Sequence, residues 1–426
     1  MKNTLLSNSF ILPLLLFLFS FGLTNFDIID RIGQHWFFLS LFNVFLFIYI
    51  YSNKGFVSFQ KILSNRIIFS FLIFLFFCLL SLFFSYNLTE SFVVISRWST
   101  GFIFIFLLVS YLNLFSFNKI SYVLTIFLLF TLYFTFKGYL NIVSKVPYDF
   151  QFAPYLMGIT GNKNITAVLF TMLLPFVYYL LLISKSIYLK SVFFIILSLS
   201  FFNVFILGSR TSFLVLIFQS LLVLVISLFE TYKFRLNNLF LINRLFLWFL
   251  PLCISYFIFN SSLSNSSDST VINRISSIST ANESANIRFR FYKESLDYVL
   301  SNPFTPIGLG NWKIESINWD KENINGFTVP YHAHNDFLEL ATEITIFGMF
   351  FYFLIFFFSF TSSLRISFNS NDIKKRSFFL SIILSGSAFF IDSFFNFPSA
   401  RTIQFVIFSI VISFIILFSL KNLKHE

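Results

Sequence analysis

Long apolar stretches alternate with short polar connections along almost the whole chain. Each apolar stretch is about 17–25 residues long, which is the length that a helix needs to cross a bilayer. We count about twelve of them, and each predicts one transmembrane helix. The predicted helices lie at residues 8–26, 36–52, 66–86, 100–116, 120–143, 165–183, 189–207, 211–229, 239–259, 337–360, 376–395 and 402–420. We therefore expect an all-α polytopic membrane protein in which residues 1–426 form one integral membrane domain.

The composition supports this class and excludes a soluble domain. Of the 426 residues, 57% are hydrophobic and 11% are charged, and phenylalanine alone supplies 72. The net charge of +11 comes largely from lysines and arginines in alternate connections, such as those around Lys54, Lys185 and Lys374. By the positive-inside rule, these connections and both termini face the cytoplasm. The basic charge therefore indicates orientation in the membrane, and not a nucleic-acid partner.

One outward-facing connection, residues 260–336 between predicted helices 9 and 10, is much longer than the others. The other outward connections lie at residues 27–35, 86–99, 144–164, 208–210 and 396–401. The first part of the long loop, residues 260–286, is rich in serine and asparagine, which predicts a mobile segment. Residues 288–300 then show a helical period, so we expect a short amphipathic helix there.

A helical wheel separates the two arginines of this amphipathic segment. Its apolar arc holds Phe289, Tyr292, Leu296, Val299 and Leu300. Arg288 falls at the edge of that arc, and Arg290 falls opposite it. We therefore expect Arg288 to point toward the protein or the membrane surface, and Arg290 to point toward water.

Two short outward segments carry polar residues with more than one possible role. Arg210 lies in Gly208-Ser209-Arg210-Thr211-Ser212, almost without a loop, and bringing it into the apolar region costs about 2–3 kcal/mol. Its side chain either extends to lipid headgroups or binds an anion. In Gly161-Asn162-Lys163-Asn164, either Asn164 caps the next helix, with Lys163 at the membrane interface, or the asparagines contact a ligand.

The end of the long loop holds two of the four histidines, His332 and His334. Asn335 or Asp336 predicts a helix N-cap, with Glu339 placed as in a capping box. The positive end of a helix dipole disfavours a protonated imidazole, so His334 is suited to accept a proton. Asp336, Glu339 and Glu343 follow at helical spacing and form an acidic stripe.

Motifs for metal or nucleotide binding are weak in this chain. The spacing of His332 and His334 permits a metal ion, but no His-Glu-x-x-His motif or cysteine cluster supports one. The sequence also has no glycine-rich loop that would hold a phosphate. We therefore predict neither a metal ion nor a cofactor.

Together these residues resemble the O-antigen ligase superfamily, which includes lipopolysaccharide O-antigen ligases, O-antigen polymerases and protein O-oligosaccharyltransferases. The resemblance rests on Ser209-Arg210, on Arg288-x-x-x-Tyr292 followed by Pro303-x-x-Pro306-Ile-Gly308-Leu-Gly310, on His334-Asn335 with Glu339, Glu343 and Gly348, and on Gly161-Asn162-Lys163-Asn164. It covers residues 160–360 by motif and the whole chain by predicted topology. One departure is Thr345, where the family pattern has a glycine; it affects helix packing more than the chemistry.

The resemblance implies a glycosyltransferase whose donor is a glycan on undecaprenyl pyrophosphate. Arg210 and Arg288 would bind the pyrophosphate, and His334 would deprotonate the acceptor hydroxyl, without a metal ion and with inversion at the anomeric carbon. Substrate contacts are expected from Asn162, Asn164, Asn335, Asp336, Glu339 and Glu343. The acceptor would be a sugar of lipid A–core or another glycan. The site would face the periplasm from a bacterial inner membrane, surrounded by membrane lipids.

Other functions stay open at this point. An O-antigen or exopolysaccharide polymerase would use a second lipid-linked repeat unit as acceptor, and a protein O-oligosaccharyltransferase would use a protein hydroxyl. A glycan transporter would place charged residues along mid-membrane helices and show an inverted repeat. Here the polar residues gather on one outward loop, and the helices are mostly Phe, Leu and Ile. We therefore expect an enzyme, and a ligase before a polymerase.

Overall fold

The structure, a computed structural model, describes residues 11–22, 31–113, 116–263, 283–323 and 330–422. Within these residues the fold is built from helices, and 11 of them are long and apolar enough to cross a membrane. The prediction of a polytopic α-helical membrane protein is therefore confirmed. The first predicted span is a shorter apolar helix, Ile11–Ser20, and residues on both sides of it lie outside the described part. Most of the serine- and asparagine-rich segment also lies outside it.

The helices are numbered along the chain. They are α1 Ile11–Ser20, α2 Arg31–Ser52, α3 Phe59–Leu63, α4 Arg66–Leu80, α5 Leu88–Leu112, α6 Phe117–Val143, α7 Lys163–Ile183, α8 Ile187–Leu207, α9 Arg210–Lys233, α10 Asn238–Ser262, α11 Glu283–Ser301, α12 Trp312–Asp320, α13 Asp336–Phe368, α14 Ile373–Phe395 and α15 Thr402–Asn422.

These helices form two compact units, each described by itself. Unit 1 is made of Met1–Gln34, Asn113–Ser277 and Ser363–Ile391. Unit 2 is made of His35–Leu112, Ile278–Ser362 and Asp392–Glu426. Unit 1 therefore contains α6 to α10 and most of α14. Unit 2 contains α3, α4, α5, α11, α12 and α15, with most of α2 and α13.

A buried ion pair joins α9 to α10 in unit 1. The Arg244 Nη1 atom lies 2.6 Å from Glu230 Oε2, and both side chains are almost fully buried. Arg376 on α14 lies 3.7 Å from the same carboxylate oxygen, and Arg244 Nη2 also donates to the Ser377 hydroxyl at 3.3 Å. Charges removed from water need such partners, so this carboxylate explains how two arginines are accommodated inside the unit.

Helix α5 begins at Leu88, although residues 86–99 were predicted to be a loop and the helix to begin at residue 100. The side chain of Asn87 accepts hydrogen bonds from the Thr89 and Glu90 amides and starts the helix. The Ser91 hydroxyl then donates to the Leu309 carbonyl at 2.6 Å. The polar residues of this segment are thus helical because they pack against another part of unit 2, which hydropathy alone does not show.

The described part of the long loop folds around a small apolar core. The core residues are Phe291, Ile307, Trp312 and Ala333. Helix α11 covers the segment predicted to be amphipathic and contributes Phe291 to this core. The indole of Trp312 donates to the Ser295 hydroxyl at 3.0 Å, which places a polar residue on the buried face of α11.

One expectation for α11 is wrong. Its apolar arc, expected to face the protein or the membrane surface, includes the exposed Phe289, Leu296 and Leu300. Arg290, expected to face water, donates from Nη2 to the buried Asp320 carboxylate at 2.8 Å. A helical wheel ranks hydrophobicity, but the buried face is set by the partners Trp312 and Asp320.

Helix α13 is interrupted at Thr345, whose backbone has φ 78° and ψ 163°. This conformation is essentially confined to glycine, because a Cβ atom makes it strained. It occurs at the position where the family pattern has a glycine. The break separates the first turns, which carry the acidic stripe, from the longer apolar part of the helix. The Thr345 hydroxyl lies 3.5 Å from the Gly348 amide, in the position of an N-cap for that second part.

Candidate active site

His334 lies immediately before α13, at the end of the loop core of unit 2. Its backbone is left-handed, with φ 57°. The next residue, Asn335, is the N-cap, and its side-chain oxygen accepts from the Phe337 and Leu338 amides at 3.0 and 3.1 Å. The Tyr292 hydroxyl donates to the His334 carbonyl at 2.8 Å and ties α11 to this turn. The backbone around His334 is therefore held from both sides.

Arg288 and His334 are brought to the same place in unit 2. Arg288 lies one helical turn before Tyr292, and its Nη1 atom donates to the Phe395 carbonyl at 2.9 Å. Tyr292 also reaches the neighbouring Phe394 carbonyl, at 3.2 Å. The Arg288-x-x-x-Tyr292 motif thus joins α11 to the C-terminal end of α14. It holds a guanidinium group beside the histidine.

The His334 imidazole is strongly biased toward its neutral form. Burial, together with the positive charges of Arg288, His332 and Arg401, lowers the pKa of His334 to about 3. A neutral imidazole carries one ring N–H and one lone pair. His334 is therefore unprotonated at neutral pH, as a general base must be.

The His334 ring is hydrogen-bonded by Asn396, which follows directly after α14. Asn396 Nδ2 donates to the Asp392 carboxylate at 2.5 Å, and the Asp392 carboxylate also accepts from Gln404 Nε2 at 3.0 Å. These bonds hold the Asn396 amide next to the ring. The Nδ1 atom of His334 is buried and without a hydrogen-bond partner among the described residues.

His332 lies beside His334 but is held differently. Its Nδ1 atom lies 2.8 Å from Glu339 Oε1, and its ring stacks on Phe397 with centroids 4.0 Å apart. Phe397 also meets the His334 ring edge-on at 5.1 Å, and the Arg401 guanidinium lies 4.4 Å from its centroid. Burial, with the positive charges of Arg401 and Lys313, lowers the pKa of His332 to about 3.

The acidic stripe of α13 connects three loops to the helix. Glu343 accepts from the Trp312 amide at 2.9 Å, and Glu339 accepts from the Ala333 amide at 2.8 Å. Asp336 accepts from both the amide and the hydroxyl of Ser399, at 3.2 and 2.8 Å. Glu339 therefore does not form the expected capping box. Its carboxylate contacts the Ala333 amide and the His332 ring, which precede the N-cap residue Asn335.

A cavity lies next to this site within unit 2. The charged residues that line it are Glu90, Arg97, Lys313, Asp336, Glu339 and Glu343. Its aromatic residues are Trp36, Trp98, Tyr331 and His332. The cavity is therefore polar on one side and aromatic on the other, as is usual for small-molecule sites.

Several residues of this region were missed by the sequence analysis. Arg97 was placed in a loop, and only its spacing of seven residues from Glu90 could have indicated a shared helical face. Asp392 and Asn396 are four residues apart, the first in the last turn of α14 and the second directly after it. Arg401 lies in the connection between α14 and α15, and no local pattern singled it out.

The remaining predicted residues lie in unit 1. Asn162, and not Asn164, caps α7, since its side chain accepts from the Asn164 and Ile165 amides at 2.9 and 3.4 Å. Arg210 is the first residue of α9, directly after Gly208, which has a left-handed backbone, and Ser209. The structure thus brings together Arg288, His334, Asn335, Asp336, Glu339 and Glu343 in unit 2.

Comparison with known families identifies the part of the chain that carries these residues. Residues 193–353 match the family model described as O-antigen ligase. The predicted resemblance is thereby confirmed over this span. It includes Arg210, Arg288 and the whole acidic stripe, while Asn162, Asp392 and Asn396 lie outside it. No curated protein gives a significant match to the chain.

The O-antigen ligase family includes ligases and polymerases, and it implies lipid-linked glycans as substrates in general terms. The arrangement in unit 2 suits that chemistry because it combines a neutral imidazole with a cation. The described residues contain no group of three or more His, Cys, Asp or Glu side chains placed to hold a metal ion.

Proposed function

We propose that this protein is an O-antigen ligase that moves a glycan from undecaprenyl pyrophosphate to a sugar hydroxyl of lipid A–core. The observation that carries the proposal is the geometry around His334: a neutral ring, an Nδ1 atom without a hydrogen-bond partner among the described residues, and Arg288 beside it. We infer that the Asn396 carbonyl accepts the other ring nitrogen's proton, which leaves the lone pair on Nδ1. A hydroxyl is a weak nucleophile, and a positioned base contributes about 10²–10⁴-fold to its attack.

The proposed step is a single displacement at the anomeric carbon of the donor sugar. The acceptor hydroxyl gives its proton to His334 Nδ1 as its oxygen forms the new glycosidic bond. The bond between the anomeric carbon and the pyrophosphate oxygen breaks on the opposite face, so configuration is inverted. The leaving pyrophosphate takes both electrons of that bond, and its negative charge is balanced by arginines. His334 then releases its proton to water or to the leaving group.

Arg288 and Arg210 are the arginines proposed to bind the pyrophosphate. An apolar groove of about 1110 Å³ in unit 1, lined by residues of α8, α9 and α10, supports a place for the polyprenyl chain. Its lining begins on α9 at Phe213, one turn after Arg210. A lipid chain in this groove would therefore end near the helix start that carries Arg210. No metal ion takes part in the proposed step.

The test is the lipopolysaccharide profile of a strain that lacks this protein and is complemented with wild type or His334→Ala. For a ligase, loss of the protein removes long-chain ladders while polymer accumulates on the lipid carrier. His334→Ala should reproduce that loss although the variant is inserted and folded, whereas His35→Ala, a histidine of α2, serves as the matched control. Single repeat units that still cap the core would identify a polymerase. An unchanged profile, or rescue by His334→Ala, would contradict the proposal.

A further inference from the structure

The carboxylates that line the cavity of unit 2 are already occupied by donors of the protein. Glu339, Glu343 and Asp336 hold the loops described above, and Lys313 lies 2.5 Å from the Glu90 carboxylate. These groups therefore hold α13, α5 and the loops together. Their hydrogen bonds within the protein use part of their acceptor capacity and fix their positions.

Arg97 differs from these residues. It lines the cavity from α5 and is half-buried. Within the described part of the chain, no carboxylate pairs with its guanidinium and no hydrogen bond is formed by it. A guanidinium presents five N–H donors in a planar fork that matches a carboxylate or a phosphate. The cavity thus contains a cation whose natural counterpart is an anion from outside the protein.

The position of Arg97 separates this anion from the pyrophosphate of the donor. The cavity is lined by His332 and not by His334. Arg288, the arginine of unit 2 proposed to bind the pyrophosphate, is likewise absent from the lining. A group bound there belongs to a neighbouring part of the substrate, and not to the leaving group.

The rest of the lining favours a sugar as the carrier of this anion. Trp36, Tyr331 and His332 line the cavity, and aromatic side chains pack against the C–H groups of pyranose rings. An aromatic wall beside a guanidinium is a combination that suits a charged saccharide.

We propose that this cavity binds an acidic sugar residue of the glycan substrate, with Arg97 contacting its carboxylate or phosphate group. The inference rests on the proposed function and deepens it, since it gives the cavity a role in selecting glycans that carry a negative charge next to the reacting hydroxyl. The aromatic residues position the ring, and the carboxylates of α13 fix the loops that form the walls.

The experiment uses the detergent-purified full-length protein and two small probes, methyl β-glucuronoside and methyl β-glucoside, whose binding is followed by ligand-observed NMR. We expect the charged probe to bind about 10- to 100-fold more tightly, the usual effect of a hydrogen-bonded charge pair. Arg97→Gln should remove this difference, and Arg97→Lys should retain part of it. Lys293→Gln, which removes an exposed positive charge from the same unit, is the matched control and should change nothing.

Inorganic pyrophosphate distinguishes the two anion sites in the same assay. Its binding should respond to Arg288→Gln and not to Arg97→Gln. Equal binding of the two methyl glycosides, or an unchanged preference in Arg97→Gln, would overturn the inference. Binding by wild type without any glycan transfer in the strain test would instead overturn the proposed function and leave the acidic-sugar site standing. Thermal unfolding of each variant checks that Arg97→Gln and Arg97→Lys are folded.

Discussion

Asn396 hydrogen-bonds the His334 ring, and its side-chain nitrogen also donates to Asp392 at 2.5 Å. The arrangement is similar to that of a catalytic histidine oriented by a polar group behind it. Here that group is a neutral amide, so it places no full negative charge directly beside the ring. Asn396 is therefore placed to fix the orientation of His334.

Asn396→Ala should lower the transfer rate by about 10- to 100-fold, a part of what a positioned base contributes. The variant loses the acceptor for the ring N–H, so the imidazole samples the wrong tautomer and orientation. The rate is measured with purified protein and a lipid-linked donor. Asn318→Ala, an exposed asparagine of α12, serves as the control. A rate equal to that of wild type would exclude a positioning role for Asn396.

The pH dependence of transfer should have no acidic limb near the ordinary histidine pKa of about 6.5. Burial, Arg288 and His332 lower the pKa of His334 to about 3, so the base remains neutral as pH falls from 8 to 5. Arg288→Gln removes one of these causes and should move the acidic limb upward, although burial keeps the pKa below 6.5. A wild-type limb at pH 6.5 in kcat/KM would contradict the assignment of His334.

The lowered pKa values of His332 and His334 also predict how the free energy of unfolding depends on pH. The unfolded chain binds protons at His332 and His334 once pH falls below about 6.5, whereas the folded chain does not until pH approaches the lowered pKa values of about 3. The free energy of unfolding should therefore decrease as pH falls from about 6.5 to about 3. The double variant His332→Gln/His334→Gln should show a smaller decrease in thermal unfolding experiments.

Thr345→Gly should stabilise the protein by about 1 kcal/mol. A residue held at this backbone conformation costs about 1–3 kcal/mol, and a glycine at an N-cap loses only a few tenths relative to threonine. Thermal unfolding in detergent measures the effect. Thr342→Gly is the matched control, since Thr342 lies in the regular part of α13 and the same replacement should destabilise there by about 1 kcal/mol. Equal destabilisation by both changes would show that position 345 is not strained.

Glu230→Ala should destabilise unit 1 by about 3–5 kcal/mol, because it leaves the buried Arg244 without its carboxylate. Replacing all three groups, as Glu230→Leu with Arg244→Met and Arg376→Met, should recover most of the loss, since no uncompensated charge of this cluster then remains. Unfolding in a denaturing detergent gives both values. A single variant as stable as wild type would mean that the pair contributes nothing.

Part of the site could be predicted from the sequence because it depends on the spacing of residues close together in the chain. The pairing of Arg288 with Tyr292 one helical turn later, and His334-Asn335 directly before a helix, both act through neighbours in the chain. Their placement around one turn in unit 2 agrees with that expectation. The N-cap assignment of Asn335 required no knowledge of distant residues either, since its acceptors and donors are two and three positions apart.

Other parts of the site depend on residues far apart in sequence. The roles of Glu339 and Glu343 come from the loops that reach them, and the helical state of residues 88–99 depends on the segment that contains Leu309. Arg97, Asn396 and Arg401 carried no distinguishing local pattern. Their importance comes from what faces them across unit 2, and sequence spacing does not contain that information.

The sequence by itself determined the class of the protein and the number of long apolar helices to within one. It could do so because a bilayer imposes a minimum apolar length and internal hydrogen bonding on any segment that crosses it. Only the tertiary structure decided which face of α11 is buried, which side chain holds the His334 ring and where a cavity opens beside it. These features follow from packing and hydrogen bonds between distant segments, whose partners are set by the fold as a whole.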